Sequence, residues 1–392
     1  MSEVWRTVGG EDANTPRTHA LVIGTSHYVH LPDTPDQPVP DDGRVTLGLG
    51  QATTPATSAL IFATWLDEKY HNPDAPIGTI RLLLSPSVDE RGQVDSLAGP
   101  DISRSSTANV KAALRAWKRD CENNRDNVAI LYVAGHGIQL TKDDSIVLLE
   151  DFADPNENIL QCAMDIGSIW RGMNNAKAAK TQFYFVDACR IKPDLFKDYA
   201  NNPVGVMLDE EDSGTITAAP IFFSAAPRSY ALGEPGKGTL FCQALQDCLK
   251  SYGVDPPDTN NRWLVTTSSL LKRLPVRVSE LARKWGEQQD AVPGGLPVDV
   301  AFHVLKNPPD VPLRITLNPA IASAQASARL WDGLSRRTLF ENVRFEPDLI
   351  REVPGGNYLL AVTFPQNQQD YRNLEAASVI AFPPSCEMEI PV

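Results

Sequence analysis

The chain has 392 residues, enough for two domains, and its 42% hydrophobic and 22% charged residues are typical of an ordinary globular protein. A net charge of -13 and a pI near 5.0 argue against a nucleic-acid-binding protein, because phosphate binding needs a surface rich in Lys and Arg. An acidic surface instead favours a basic peptide or protein as partner.

Two features of the sequence predict a cytoplasmic protein that does not enter a membrane. Residues 1–20 contain no apolar signal segment, and no run approaches the roughly 18 apolar residues that a membrane helix needs. The six cysteines are scattered without a CxxC pair. We therefore expect reduced thiols, with neither a disulfide framework nor a zinc site.

The first third of the chain alternates apolar strands with amphipathic helices. Residues 19–28 form a short apolar run that ends in Gly-Thr-Ser, which indicates a strand buried on both faces. Residues 53–70 have helical spacing of apolar side chains, and residues 78–86 form a second buried strand. A helix follows at residues 106–120, and residues 127–137 give a third strand that ends in Gly-His-Gly.

The same alternation continues to about residue 306. The predicted elements are a helix at 164–176, a strand at 181–188, a strand at 219–226, a helix at 239–250, one or two helices at 268–285, and a last strand within 294–305. Nearly continuous apolar strands that alternate with helices predict an α/β fold. Its mostly parallel sheet would be covered by helices on both faces, as a three-layer sandwich.

From about residue 307 the pattern changes to short strands with Pro and Gly between them. Residues 307–312 read as a linker, and several strand-like runs follow at roughly ten-residue spacing, which suggests a small β-sandwich. The stretch at 353–364 is similar to a turn and strand of immunoglobulin-like and prealbumin-like domains. We predict an N-terminal extension at 1–17, an α/β domain at 18–306 and a β-sandwich domain at 307–392.

Residues suited to chemistry follow two of the predicted parallel strands. Gly135, His136 and Gly137 end the third strand, and Asp187 and Cys189 end the fourth. In parallel sheets the carboxyl ends of the strands meet at one edge, so we expect these side chains to lie close together. Peptide cleavage by a thiol needs a cysteine, an imidazole and donors for the oxyanion. The alternative is that Cys189 is a small buried hydrophobe.

The two motifs together resemble those of the caspase and metacaspase peptidases. They read YVAGHG at 132–137 and FVDACR at 185–190, and further segments that are similar to this family extend over about residues 18–306. The resemblance implies that Cys189 is the nucleophile and that His136 moves the protons. It also implies that the backbone N–H groups of Gly137 and Cys189 form the oxyanion hole. No metal or organic cofactor is implied for the chemistry.

Asp187 is the position that the resemblance connects with substrate choice. Metacaspases carry Asp there, at the base of a pocket that accepts Arg or Lys, whereas animal caspases carry Gln. The implied partners are protein substrates with basic cleavage sites, since a carboxylate favours a buried cation. The alternatives are a purely structural carboxylate and a preference for another side chain. Ala134 and Ile191 depart from the metacaspase pattern, which leaves the pocket shape open.

The preference for basic residues has a consequence for activation. Caspases mature by cleavage of a linker that corresponds here to residues 195–220, and no Lys or Arg occurs between Lys197 and Arg228. We therefore expect a single chain that a partner or an upstream signal activates. A cut within 208–212 would contradict the basic preference. By analogy with bacterial relatives, the protein is expected to act in a stress or antiphage pathway.

Three other interpretations of the sequence are less favoured. Residues 233–239 superficially match a phosphate-binding loop but lack its glycine and hydroxyl positions. Asp143 and Asp144 offer far fewer oxygens than calcium requires, so a solvated turn is preferred. The rival from another class is a catalytically silent interaction module with a caspase-like fold, against which the presence of both His136 and Cys189 argues.

Overall fold

The computed structural model describes residues 4–7, 15–38, 45–139, 145–175, 177–191, 203–209, 218–227, 229–365 and 371–392. Their contacts divide the chain into two units. The first comprises Met1–Gln246 and Leu274–Val300, and the second comprises Asp247–Arg273 and Ala301–Val392. Asp143, Asp144 and most of the segment at 192–217 lie outside the described residues.

The helices and strands are numbered in chain order. The helices are α1 (Pro55–Glu68), α2 (Val88–Ala98), α3 (Thr107–Glu122), α4 (Ile166–Gly172), α5 (Leu240–Asp247) and α6 (Thr267–Lys284). The strands are β1 (Arg6–Thr7), β2 (Thr18–Thr25), β3 (Ile77–Ser85), β4 (Val128–Gly135), β5 (Gly137–Ile138), β6 (Ile146–Leu148), β7 (Ala163–Asp165), β8 (Thr181–Ala188), β9 (Ala219–Phe223), β10 (Gly233–Glu234), β11 (Gly238–Thr239), β12 (Trp263–Thr266), β13 (Val292–Leu296), β14 (Ala301–Leu305), β15 (Asp310–Asn318), β16 (Ser327–Asp332), β17 (Thr338–Arg344), β18 (Leu349–Pro354), β19 (Gly356–Thr363), β20 (Leu374–Ala381) and β21 (Cys386–Pro391).

A seven-stranded sheet forms the centre of the first unit, in the order β1-β3-β2-β4-β8-β9-β13. Its five inner strands run parallel, and the two edge strands, β1 and β13, pair antiparallel with their neighbours. Parallel neighbours need a crossover connection that returns the chain to the same end of the sheet, and α1 supplies one between β2 and β3. The predicted α/β fold with a mostly parallel sheet is confirmed.

Both faces of this sheet are covered, because successive side chains of a strand point to opposite sides. On one face the Phe62 ring of α1 stacks on Tyr132 of β4 at a centroid distance of 4.7 Å and contacts Phe185 of β8 at 5.5 Å. On the other face Trp117 of α3 belongs to one buried cluster with the next residue of β8, Val186. The strands are apolar along their whole length because their side chains pack against helices on both faces of the sheet.

Strands β15 to β21 of the second unit form two sheets over one core. Their orders are β18-β15-β21 and β17-β16-β19-β20. Leu313 of β15, Leu330 of β16 and Leu360 of β19 are fully buried in the same apolar cluster, so both sheets contribute to it. This confirms a β domain after the α/β fold, while its immunoglobulin-like or prealbumin-like type and the boundary at 306–307 stay predictions.

The prediction of a single strand within 294–305 is wrong. The chain forms β13 at the edge of the large sheet and then β14, which pairs with β12. Pro297 lies between them and cannot donate a ladder hydrogen bond, and the two strands belong to different units. An apolar run alone does not reveal such a break.

Candidate active site

The register of β4 and β8 brings the two predicted motifs side by side. Gly135 pairs with Ala188 at the ends of the strands, and an isolated parallel bridge joins Ile138 to Ile191 just beyond them. Both pairs keep the same sequence offset, and this offset sets His136 opposite Cys189. The sequence expectation that the strands are neighbours is therefore met, and the imidazole and the thiol follow adjacent strands at one sheet edge.

The backbones of the two motifs touch at Gly137. A Cβ atom at this position would overlap the carbonyl oxygen of Cys189 and would lie 2.7 Å from Cβ of Ala188. No residue other than glycine fits so close to another backbone. Gly137 therefore allows the chain after His136 to lie directly against Cys189, where both predicted oxyanion donors occur.

The imidazole of His136 is held from two sides. Its ring stacks on Tyr28 at a centroid distance of 4.9 Å, and its backbone N–H donates to the Tyr28 hydroxyl at 2.7 Å. Its Nε2 lies 2.7 Å from the carbonyl oxygen of Gly50. A carbonyl oxygen only accepts, so Nε2 carries the proton and Nδ1 of the neutral ring keeps a lone pair. Burial lowers the pKa of His136 below its usual value, whereas the bond to Gly50 opposes this shift.

Neither Gly50 nor Tyr28 was among the residues predicted from the sequence. The contribution of Gly50 is a main-chain carbonyl, which any residue type supplies, so the sequence carries no signal for it. Tyr28 closes the apolar run at 19–28 and reads there as one more core aromatic. Its side chain is fully buried, which raises its pKa and keeps the hydroxyl neutral.

The thiol of Cys189 is half-buried, and its Sγ accepts the backbone N–H of Ala231 at 3.2 Å. Burial raises the pKa of this thiol, the charge of Asp187 adds to the rise, and the Ala231 N–H opposes it. Within the described ranges no hydrogen bond joins Sγ to the His136 ring. A thiol in this setting is protonated at neutral pH and needs a base to become a nucleophile.

Asp187, two residues before Cys189 in the chain, is 1% exposed. Its Oδ2 accepts the Tyr132 hydroxyl at 2.6 Å and a shorter bond from the hydroxyl of Thr239, whose backbone N–H in turn donates to Ser58 of α1. Its Oδ1 is buried and accepts no hydrogen bond in the part of the chain that the structure describes. Burial raises the pKa of Asp187 to about 6, and the hydroxyl donors oppose that rise.

The segment after β9 is bound to the end of β8 by main-chain contacts. The N–H of Arg190 donates to the carbonyl of Ser229 at 3.0 Å, and the Arg190 guanidinium lies 4.6 Å from the centre of the Phe223 ring. These contacts hold Ala231 against the Cys189 thiol. Arg190 thus helps to fix the segment that contacts the thiol, through its backbone N–H. The sequence analysis does not predict this role.

The described residues contain neither a candidate membrane-spanning helix nor a candidate metal site. Among them, no helix is long and apolar enough to cross a bilayer. No group of three or more His, Cys, Asp or Glu side chains there could hold a metal ion. The expectation about Asp143 and Asp144 concerns residues outside the described ranges and stays a prediction.

Comparison with known proteins agrees with this geometry. The family model described as "Caspase domain", of the peptidase C14 family, matches residues 17–293. A curated relative, the uncharacterized protein y4kE of Sinorhizobium fredii, is 27% identical over 268 residues, which cover 64% of this chain and 73% of that protein. The matched range includes both strand-end motifs and the five parallel strands of the large sheet. The chain therefore belongs to the caspase family of peptidases.

Proposed function

We propose that the protein is a cysteine endopeptidase in which Cys189 and His136 form the catalytic dyad, and that it cleaves after Arg or Lys. The observation that supports this proposal is the register of β4 and β8, which brings the backbone position of His136 next to that of Cys189, together with the close approach of Gly137 to the Cys189 backbone. In the proposed site, the nucleophile, the base and the two N–H donors come from the residues that follow β4 and β8.

Each group has a defined task in the proposed reaction. Nδ1 of His136 takes the thiol proton while the Cys189 sulfur attacks the carbonyl carbon, and the N–H groups of Gly137 and Cys189 stabilise the oxyanion. Collapse of this intermediate breaks the C–N bond, the imidazolium gives its proton to the leaving amine, and a thioester remains. Water, deprotonated by His136, then hydrolyses the thioester and restores the thiol.

The preference for a basic residue is supported by the unusual state of Asp187. One of its oxygens is buried and has no hydrogen-bond partner among the described residues, which is costly unless a donor arrives with the substrate. A guanidinium or ammonium group would supply that donor together with the opposite charge, and would lower the pKa of Asp187 from about 6. A substrate carboxylate would meet the same oxygen with repulsion.

We also infer that activation comes from a partner or an upstream signal in the cytoplasm, within a stress or antiphage pathway. External activation is supported by the segment from residue 198 to residue 227, which contains no Lys or Arg, whereas the compartment and the pathway rest on analogy with bacterial relatives. Part of that segment is packed into the core, since Met207 and Leu208 are 3% and 5% exposed. Self-cleavage after a basic residue is therefore not available there.

A library of fluorogenic peptides that varies the residue before the cut tests the proposal. We expect turnover with Arg and Lys, complete loss in Cys189→Ala, and full activity in Cys386→Ala, a matched variant of the other half-buried cysteine. Asp187→Asn should remove the preference for basic residues. Cleavage after acidic residues, or specificity untouched by Asp187→Asn, would contradict the basic preference, and no turnover with any peptide would favour the silent module.

A further inference from the structure

The two supports of the His136 ring come from chain segments that one side chain, Gln51, holds together. Tyr28 lies in the loop that follows β2, and Gly50 lies in the segment that leads into α1. Neither segment has regular secondary structure, so its position depends on specific hydrogen bonds.

The peptide group between Gly50 and Gln51 is fixed from both ends. Its carbonyl oxygen, which belongs to Gly50, lies 2.7 Å from Nε2 of His136. Its N–H, which belongs to Gln51, donates to the carbonyl of Pro32 at 3.1 Å. Because the C=O and N–H of a trans peptide point in opposite directions, the bond to Pro32 turns the carbonyl towards the imidazole.

The Gln51 side chain binds the same loop at three further points. Its Oε1 accepts the backbone N–H of Tyr28 at 2.7 Å, and its Nε2 donates to the carbonyls of Tyr28 and Leu31, each at 2.9 Å. This pattern needs one acceptor and two donors on a single flat group. Gln provides them, whereas Glu has no donor when ionised and Lys has no acceptor.

We propose that Gln51 is a positioning residue of the catalytic site, which sets the tautomer and orientation of His136 through Gly50 and Tyr28. The proposal rests on the proposed function only in assuming that His136 serves Cys189. With Gln51 in place, the proton is kept on Nε2, and the lone pair is kept on Nδ1. Without its side chain, the loop that carries Tyr28, Leu31 and Pro32 is no longer tied to the Gly50–Gln51 peptide by side-chain bonds, so the Gly50 carbonyl is held less firmly and both ring nitrogens can carry the proton.

The titration of His136 can report the effect of Gln51, because no group that contacts its ring in the described structure titrates in the same pH range. The ring is contacted by Tyr28 from the loop after β2 and by the Gly50 carbonyl from the segment before α1, and Cys189 lies opposite it at the end of β8. The β6 strand meets it through a main-chain bond from Leu148. Tyr28 and Cys189 are the titratable members of this set, and burial raises the pKa of both, so both stay neutral while His136 titrates.

The test reads the His136 ring directly by nuclear magnetic resonance of protein with 15N-labelled histidine, with the signal assigned through His136→Gln. We expect the wild-type ring to carry its proton on Nε2. In Gln51→Ala we expect a mixture of tautomers and a lower pKa, because the bond to Gly50 raises the pKa of His136. We expect kcat to fall by about 10²-fold with little change in KM, as misplaced catalytic groups do.

Two further variants keep the result interpretable. Gln37→Ala is the matched control, because exposed Gln37 accepts the N–H of Asp33 in the same loop without touching Tyr28 or Gly50; its ring signals and kcat should equal those of the wild type. Gln51→Glu keeps the side-chain length and the acceptor but loses both donors, and it replaces Gln51→Ala if that variant does not fold.

The outcome for this inference is separable from that for the proposed function. An unchanged tautomer and pKa of His136 in folded Gln51→Ala or Gln51→Glu would overturn the positioning role. If the wild type cleaved no peptide, the peptidase proposal would fail, but the ring signals would still decide whether Gln51 sets the tautomer. The rate at which iodoacetamide alkylates Cys189 provides a second readout without substrate, and it should be slower in Gln51→Ala than in Gln37→Ala.

Discussion

Asp187 lowers the stability of the folded protein above its pKa, and its proposed role explains why such a residue is present. The pKa of about 6 in the folded state is above the usual 3.8, so the folded protein binds this proton more tightly than the unfolded chain does. Stability from this group is therefore greatest below the usual value and is lost as the pH rises through about 6. The shift of roughly two units corresponds to about 3 kcal/mol.

Asp187→Asn should therefore be more stable than the wild type at pH 7.5, by up to about 3 kcal/mol, and the difference should shrink as the pH falls from about 6 towards 4. Urea unfolding of both proteins across this range measures it. Asp126→Asn is the control, because that carboxylate pairs with Lys180 at the exposed surface and should give a small difference at every pH. A pH-independent stability difference for Asp187→Asn would show that burial does not raise the pKa of this carboxyl.

At the scale of the elements, the contact between the ends of β4 and β8 depends on the absence of a side chain at Gly137. Gly137→Ala places a Cβ where the Cys189 carbonyl oxygen lies, so the two strand ends must separate. We expect a loss of about 1–3 kcal/mol in unfolding free energy, and loss of peptidase activity. Gly92→Ala in α2 is the matched control, since its Cβ meets open space and should stabilise the exposed helix by about 1 kcal/mol.

Thermal unfolding and peptide turnover of the two variants provide the comparison. Gly137→Ala with wild-type activity and stability would mean that the backbones of β5 and Cys189 are not in contact. Equal destabilisation by both alanines would point instead to a general intolerance of glycine replacement.

The sequence predicts those elements whose side chains repeat with a clear period, and it does not predict what the backbone alone supplies. The parallel strands and α3 follow from apolar spacing. The sequence of α2 has no such spacing, because this helix buries only Glu90 and Val94. Its signal was the capping box, in which Ser87 and Glu90 bond each other's backbone. The Gly50 carbonyl had no signal in the sequence, because its function depends on a peptide orientation set by distant residues.

At the scale of the whole molecule, residues 307–392 contain every strand of the two sheets of the β domain. The apolar cluster beneath those sheets runs from Val311 to Ile390 and includes no buried residue from before 307. A chain segment that holds its complete core is expected to fold alone. The boundary predicted from the linker at 307–312 stays a prediction, because the compact unit that holds this cluster also includes Asp247–Arg273 and begins its second segment at Ala301.

A fragment of residues 307–392 should therefore give a β-type circular dichroism spectrum and one cooperative thermal transition. Leu330→Asp within the fragment should abolish that transition, because it buries a charge in the middle of the cluster. The boundary would be contradicted if the fragment 307–392 showed no cooperative transition but a fragment extended to include 247–306 did. The side chain of Trp263 would then be the reason, since it is 6% exposed and contacts Gly355 and, edge to face at 5.6 Å, Phe382.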